Sequence, residues 1–244
     1  QATQDINKYF PEFNFTASWV FVATWNEMAY YPNTGTVNDG SSPQIQLLNS
    51  FVYFGQPYTQ IYVNHNGHLT FKAPWFSYIT QRFPMNGTRD IIAPFWTHLS
   101  NAVTGDIYYG QYTSGRLLYQ VTQDINEYFP GLNFHAKLIF IATWDRVAYF
   151  SKPGTATFQA VLTTDGQYSF VLMNYGYLAP TTRSIQAGYD TVNSPFYFSI
   201  PGSFSSTATG SNSVFSHNSN VNVPGRWAFR VDHVSTGKTR NSGS

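Results

Sequence analysis

The chain has 244 residues, of which only 10% are charged, and its formal net charge is +1. Because the few Lys and Arg residues are scattered, nothing indicates binding to nucleic acid or to an anionic membrane surface. The absence of cysteine excludes disulfides, thiolate metal sites and a cysteine nucleophile. No apolar run approaches the roughly 18 residues of a membrane-spanning helix, so we expect no membrane insertion.

Two similar segments occur at residues 1–36 and 120–155, which align without a gap and share about twenty of their thirty-six residues. In each copy, TQDIN(K/E)YFP has a Thr/Gln/Asp start and a Pro stop, which predict a helix of about two turns. The alternation that follows predicts a strand. In the second copy its apolar face consists of Phe134, Ala136, Leu138, Phe140, Ala142 and Trp144. The first copy has Phe15, Ala17, Trp19, Phe21, Ala23 and Trp25 in the same positions.

Both copies need the same kind of apolar slot, whereas one sandwich offers a single such slot. The first copy has three possible fates. It packs on its own domain as an additional edge strand, it adds to the sheet of a neighbouring chain, or it is the remainder of a truncated repeat. Of these we favour donation to a neighbour, with Phe15, Trp19, Phe21 and Trp25 as the interface.

The clearest hairpin signal is QIYVNHNGHLTF, in which Asn66-Gly67 supplies the turn between strands 61–64 and 69–71. His65 and His68 flank this turn, and without a third ligand they indicate an exposed polar tip rather than a metal site. Further strands are predicted at residues 44–54, 89–96, 107–112, 117–121, 157–162, 167–175, 184–189, 196–200 and 224–231. Residues 201–221 are predicted as a polar loop with little to bury.

About a dozen short strands with one or two short helices indicate a β-sandwich or barrel. Of these we expect a mainly β, antiparallel β-sandwich over residues 32–234. Residues 1–31 would form the partial repeat and residues 235–244 a flexible polar tail. No enzymatic activity, cofactor or metal is expected, because the chain has only 12 carboxylates and no catalytic motif. Of these carboxylates, Asp5 and Asp124 fall at predicted helix starts, and Asp106 and Asp165 at predicted turns.

The order of several motifs along residues 30–234 resembles the NIDO domain, the extracellular module of nidogen, alpha-tectorin and certain membrane mucins, and looks closest to the alpha-tectorin-like proteins of fishes. The motifs are NDGSSP (38–43), FVYFGQPYTQIYVNHNGHLTF (51–71), RDIIAPFW (89–96), GDIYYGQ (105–111), NFHAKLIFIATWDRVAYF (133–150), FQAVLTTDGQYSFVLMNYG (158–176), QAGYDT (186–191) and NVPGRWAFRVD (222–232). The resemblance implies a non-enzymatic module of matrix, basement-membrane or gel-forming proteins. Residues 97–100 read Thr-His-Leu-Ser where the family has acidic residues, so it implies no cation site there.

We therefore expect a secreted structural or adhesive protein that self-associates in extracellular matrix or mucus by head-to-tail strand donation. Its other partners would be matrix glycoproteins or glycans. The charge-poor composition favours secretion more strongly than the lack of cysteine favours a reducing compartment. The sequons at Asn14 and Asn86 predict N-glycosylation.

The alternative is a soluble carbohydrate-binding (lectin-like) or defence protein that uses surface aromatics. Tyr, Phe and Trp make up 18% of the chain, and exposed aromatic rings can stack on sugars. The candidate aromatics are Tyr30-Tyr31, Trp75-Phe76, Tyr78 and Tyr108-Tyr109. Glycans would bind through surface Tyr, Trp and Asn side chains in loops such as 72–87 or 201–221. A third option is a carrier with an aromatic-lined cavity for a small ligand.

Overall fold

The computed structural model describes residues 29–30, 39–102 and 104–232. Within them, two antiparallel sheets pack face to face, which confirms the predicted β-sandwich. The first sheet contains β1 (Ala29–Tyr30), β6 (Leu99–Ser100), β7 (Asp106–Tyr112), β8 (Leu138–Tyr149), β9 (Thr155–Thr164), β10 (Ser169–Leu178) and β13 (Arg226–Arg230). The second contains β2 (Ile45–Tyr53), β3 (Gln56–Asn64), β4 (His68–Thr70), β5 (Ile91–Trp96), β11 (Gln186–Asp190) and β12 (Tyr197–Ser199).

The strand order is β1-β7-β8-β9-β10-β13 in the first sheet, with β6 paired to β8, and β12-β11-β5-β4-β3-β2 in the second. Aromatic rings fill the space between the sheets. Trp144 stacks on Phe158 with ring centroids 4.9 Å apart, and Phe95 of the opposite sheet lies 5.0 Å from Phe158. The buried Tyr175 hydroxyl donates to the carbonyl of Pro94 at 2.7 Å. Packing between the sheets therefore accounts for much of the chain's 18% content of Tyr, Phe and Trp.

One helix, α1 (Arg116–Tyr128), covers the outer face of the first sheet. It begins well before the predicted two-turn helix, and the strand predicted at residues 117–121 is wrong. Leu118, Val121 and Ile125 are the buried residues of α1, at a spacing that puts them on one helical face. They pack on outward-facing residues such as Ile139. The short apolar run that suggested a strand is thus part of an amphipathic helix.

The outward face of β8 is covered by α1, and its inward face lies in the core between the sheets. Phe140 and Trp144 point inward, as the alternation predicts. Phe134 and Ala136, however, pack in the cluster under α1, so the alternation begins only at Leu138. The assignment of Phe134 and Ala136 to the inward face is therefore wrong, because these residues belong to the turn between helix and strand.

Residues 201–221 bury more than a polar loop would. They contain a 3-10 turn at Ser206–Ala208 and a short helix, α2 (Val214–His217). Phe215 is fully buried against Phe95 and Tyr175. This segment closes one side of the core, which its Ser/Gly/Thr-rich composition did not indicate.

Candidate functional site

The outer edge of β7 is where the N-terminal repeat meets the sandwich. On one side β7 pairs antiparallel with β8, the strand of the second copy. On its other side Ala29 lies opposite Tyr109 and Tyr30 opposite Tyr108, again antiparallel. A single strand thus pairs with the second copy on one side and with two residues of the first copy on the other.

The opposite edge of the same sheet, β13, is closed by side chains. The Asn220 amide nitrogen donates to the carbonyl of Ala228 at 2.8 Å, and its oxygen accepts from the Ala228 amide at 2.9 Å. The Ser219 hydroxyl donates to the carbonyl of Arg226 at 2.7 Å. Asn220 therefore reproduces the two bonds of a neighbouring strand, which leaves less free backbone for another chain to pair with.

The β2 edge of the second sheet is closed in the same way by a residue of β7. The Gln111 oxygen accepts from the Leu48 amide at 3.0 Å, and its nitrogen donates to the carbonyl of Gln46 at 2.9 Å. The Asn49 side chain points to the first sheet as well, donating to the carbonyl of Lys137 at 3.4 Å. Among the described residues, both long edges that meet no strand are thus blocked by amide side chains.

The helix of the second copy is fixed to the sheet by a polar cluster around Arg226. Its guanidinium donates to the Asp124 carboxylate at 2.8 Å, to the Tyr128 hydroxyl at 2.9 Å and to the Asn174 oxygen at 2.9 Å. Burial raises the pKa of Asp124, although Arg226 beside it acts in the opposite direction. These contacts tie α1 to β10 and β13.

The turn between α1 and β8 is closed by Asn126. Its amide nitrogen donates to the carbonyl of Phe134 at 2.8 Å, and its oxygen accepts from the Phe134 amide at 2.8 Å. The first copy has the same residue types at the contacting positions. Thr3, Asp5, Ile6, Asn7, Tyr9 and Phe15 correspond to Thr122, Asp124, Ile125, Asn126, Tyr128 and Phe134. The docking chemistry of the unit is therefore present twice in the sequence.

The predicted interface residues Phe15, Trp19, Phe21 and Trp25 lie outside the described residues. Their counterparts in the second copy are Phe134, Leu138, Phe140 and Trp144, each with 0% exposure. Positions of this kind serve as core residues in the second copy. The role of the first copy stays a prediction.

The β3–β4 hairpin forms as predicted, but its tip is buried, so the expectation of an exposed polar tip is wrong. His65 is 5% exposed, and Asn66 and His68 are each 0% exposed. The β5 strand lies across the tip, where the Phe95 amide donates to the carbonyl of Gly67. The sequence motif specified the turn but carried no information about what covers it.

Polar contacts compensate for the burial of this tip. The Asn66 amide nitrogen donates to Asp39 at 2.9 Å, and its oxygen accepts from the Leu99 amide at 3.0 Å. The ring of His65 lies against Gly40, where an added Cβ would come within 2.5 Å of a ring carbon. The tip thus fixes the 39–42 segment, which follows the N-terminal repeat.

Three histidines at this end of the sandwich are held uncharged near neutral pH. Burial lowers the pKa of His65 to about 4, although Asp39 acts in the opposite direction, and burial lowers the pKa of His68 to about 4. The pKa of His98 is also lowered by burial, and Asp39, 3.4 Å from its ring nitrogen, opposes that shift. In the described part of the chain no three His, Asp or Glu residues are grouped to hold a metal.

Two of the candidate surface aromatics are exposed, Phe76 at 52% and Tyr78 at 46%. Tyr78 nevertheless has one face stacked on His98, with ring centroids 4.2 Å apart. Trp75 packs inward against Trp96 and beneath Arg89. Of the other candidates, Tyr108 and Tyr109 are partly buried, only the backbone of Tyr30 is described, and Tyr31 lies outside the described residues.

Asn86 and Thr88 of the second sequon are exposed, whereas Asn14 lies outside the described residues. Among the described residues, no helix is both long and apolar enough to cross a membrane.

The edge-blocking roles of Gln111 and Asn220 were not recognised from the sequence. Gln111 acts on residues more than sixty positions away, so no local pattern marks it. Asn220 and Ala228 are eight residues apart, but nothing in the sequence shows that β13 is an edge strand.

Comparison with known proteins gives one family. The model of the nidogen-like domain, NIDO, matches residues 1–51 and 59–233, so the match includes the N-terminal repeat. Alpha-tectorin from Mus musculus is 37% identical over 217 residues, which cover 82% of this chain and 10% of that protein. Alpha-tectorin from Homo sapiens gives the same identity and coverage. Nidogen from Drosophila melanogaster is 29% identical, over 79% of this chain and 15% of that protein. The chain thus spans about a tenth of the length of the alpha-tectorins, and no solved structure is significantly similar to it.

Proposed function

Because the chain belongs to the nidogen-like domain family, we propose that it is a secreted structural module of extracellular matrix or mucus that associates with copies of itself. The association runs through the N-terminal repeat, a strand of which adds to the outer edge of β7 in a neighbouring chain. In this proposal the chain has no catalytic role, and its further partners are matrix glycoproteins or glycans.

The observation that supports this proposal is that the outer edge of β7 accepts residues of the first copy, since within one chain it pairs with Ala29 and Tyr30. Donation of the same strand to the β7 edge of a neighbour is the step that we add. β7 is seven residues long, and within the described chain β1 covers only two of them on its outer side. Amide side chains block the β13 and β2 edges, so β7 is the long edge best suited to strand addition. Backbone hydrogen bonds would provide affinity along this edge, and alternate side chains would provide specificity.

The repeat also has the apolar side chains that such an interface needs. Phe15, Trp19, Phe21 and Trp25 alternate along the predicted strand, and burying each would contribute about 2–3 kcal/mol. Pairing with the chain's own β7 closes the edge within one molecule, whereas pairing with a neighbour's β7 links two molecules. Head-to-tail linkage is heterologous and need not close, so it would build a filament.

The test measures molar mass by light scattering across a dilution series, with negative-stain imaging of the same samples. We expect the full chain to form oligomers, and the variant F15S/W19S/F21S/W25S to be monomeric. A matched control, V20T/V22T, changes the opposite face of the same predicted strand and should retain the oligomers. Deleting residues 1–28 should also give a monomer.

A full chain that stays monomeric at every concentration would refute self-association and place the repeat on its own domain. Oligomers that persist in the four-residue variant and in the deletion would show that association uses another surface. Because the described domain does not include residues 1–28, folding of each variant is checked by its thermal transition.

Carbohydrate binding is the second candidate, and the exposure of Phe76 and Tyr78 favours it. These rings lie in one loop and present apolar surface on which a sugar can stack. A glycan array probed with the full chain and with Phe76→Ala tests this function. Binding that is lost in Phe76→Ala but kept in the F15S/W19S/F21S/W25S variant would favour the lectin-like function, and an array without signal would exclude it for the sugars presented.

A further inference from the structure

The fourth sheet edge, β12, differs from the β13 and β2 edges. β12 is three residues long and pairs with β11 on one side. Among the described residues, no side-chain amide bonds to its backbone as Asn220 does to β13. Tyr197, its first residue, is 49% exposed. This edge is therefore short but open to pairing with another chain.

The sequon Asn86-Gly87-Thr88 lies beside the turn that leads into β12. The Asn86 amide donates to the Ser194 hydroxyl at 2.8 Å, and the carbonyl of Gly87 accepts from the Asn193 amide at 2.7 Å. Asn193 and Ser194 belong to the turn between β11 and β12. The backbone of the sequon is thus fixed to the turn that leads into β12, while the Asn86 and Thr88 residues are exposed to solvent.

We propose that Asn86 carries an N-linked glycan that shields the β12 edge from strand addition. An N-glycan is bulky and hydrated, so a chain approaching this edge would have to displace it. With β13 and β2 blocked by side chains and β12 blocked by glycan, β7 would be the remaining edge for association. The inference rests on the proposed extracellular function, because N-glycans are added in the secretory pathway.

The experiment expresses the full chain with a secretory signal in cultured animal cells, together with N86Q, N14Q and T88S. Peptide mapping after enzymatic glycan release reports occupancy as conversion of Asn86 to Asp. We expect Asn86 to be occupied in the wild type and in T88S, which preserves the sequon. Light scattering should then show a larger average molar mass for N86Q, and for enzymatically deglycosylated wild type, than for N14Q or T88S.

An unmodified Asn86 in the secreted wild type would overturn the inference. So would an occupied Asn86 whose removal leaves the molar-mass distribution unchanged. These outcomes are separate from those of the proposed function, since loss of association in the F15S/W19S/F21S/W25S variant does not depend on Asn86. If N86Q is secreted poorly, enzymatic release from folded N14Q, in which Asn86 is the remaining sequon, provides the same comparison.

Discussion

Mild acid should destabilise this domain through the buried histidines of the β3–β4 hairpin. In the unfolded chain a histidine has a pKa of 6.5, whereas burial lowers the pKa of both His65 and His68 to about 4 in the fold. Below pH 6.5 the unfolded chain takes up protons that the folded chain does not bind until about pH 4. Stability is therefore complete above pH 6.5 and is lost as the pH falls toward 4.

The size of the effect follows from these two pKa values. At pH 5 proton binding favours the unfolded state by a factor of about 30 for each histidine, which is about 2 kcal/mol. His65 and His68 together should lower the free energy of unfolding by about 4 kcal/mol between pH 7.5 and pH 5. The lowered pKa of His98 adds in the same direction. Burial raises the pKa of Asp124 and of Asp190, and these carboxyls oppose the trend as the pH falls further.

Urea unfolding followed by tryptophan fluorescence at several pH values between 7.5 and 5 measures the effect. The variant H65Q/H68Q should lose most of the pH dependence, whatever its stability at neutral pH. The control H135Q removes an exposed histidine and should keep the wild-type dependence. An unfolding free energy that changes by less than about 1 kcal/mol over this range, or a double variant as pH-sensitive as the wild type, would refute the reasoning.

Two further predictions concern stability and use thermal or urea unfolding. Gly67→Ala should lower the free energy of unfolding by about 3 kcal/mol or more, because the new Cβ would lie 2.0 Å from the carbonyl oxygen of Phe95. Gly115→Ala, also at positive φ but with no atom within 4 Å of the new Cβ, should lower it by about 1 kcal/mol. Equal losses would contradict this. Arg226→Met should cost about 3 kcal/mol because it leaves the partner carboxylate on α1 without its cation. Arg146→Met, at a side chain 74% exposed, should change stability by less than about 0.5 kcal/mol.

The sequence predicted the strands and hairpins well where alternation and turn residues agree. The β9–β10 hairpin and β7 lie close to their predicted positions, because each strand is bounded by Gly or Asp residues with clear turn chemistry. The helix was less well predicted, since residues 117–121 form too short an apolar run to distinguish a strand from a helical face. Only the spacing of Leu118, Val121 and Ile125 over the full length of α1 resolves the ambiguity.

The candidate site was predictable in part. The repeat itself is visible in the sequence, and so are the sequons. The edge that receives β1 and the side chains that block the other edges depend on strand order, which single-sequence patterns do not contain. The burial of the hairpin tip could not be predicted for the same reason, because Asn66 is covered by residues that come from segments near 39 and 99.

The covering of β8 on both faces has a consequence for how such a sheet can be enlarged. One face of this strand is covered by the opposite sheet and the other by α1, which precedes it directly in the chain. A copy of the strand alone would leave side chains equivalent to Ile139 in contact with water. A copy of helix and strand together supplies a helix that covers the outer face of each added strand. The duplicated sequence includes the strand and also residues 1–9, which align with residues 120–128 of α1. The repeat therefore contains the sequence of most of the covering helix as well as that of the strand.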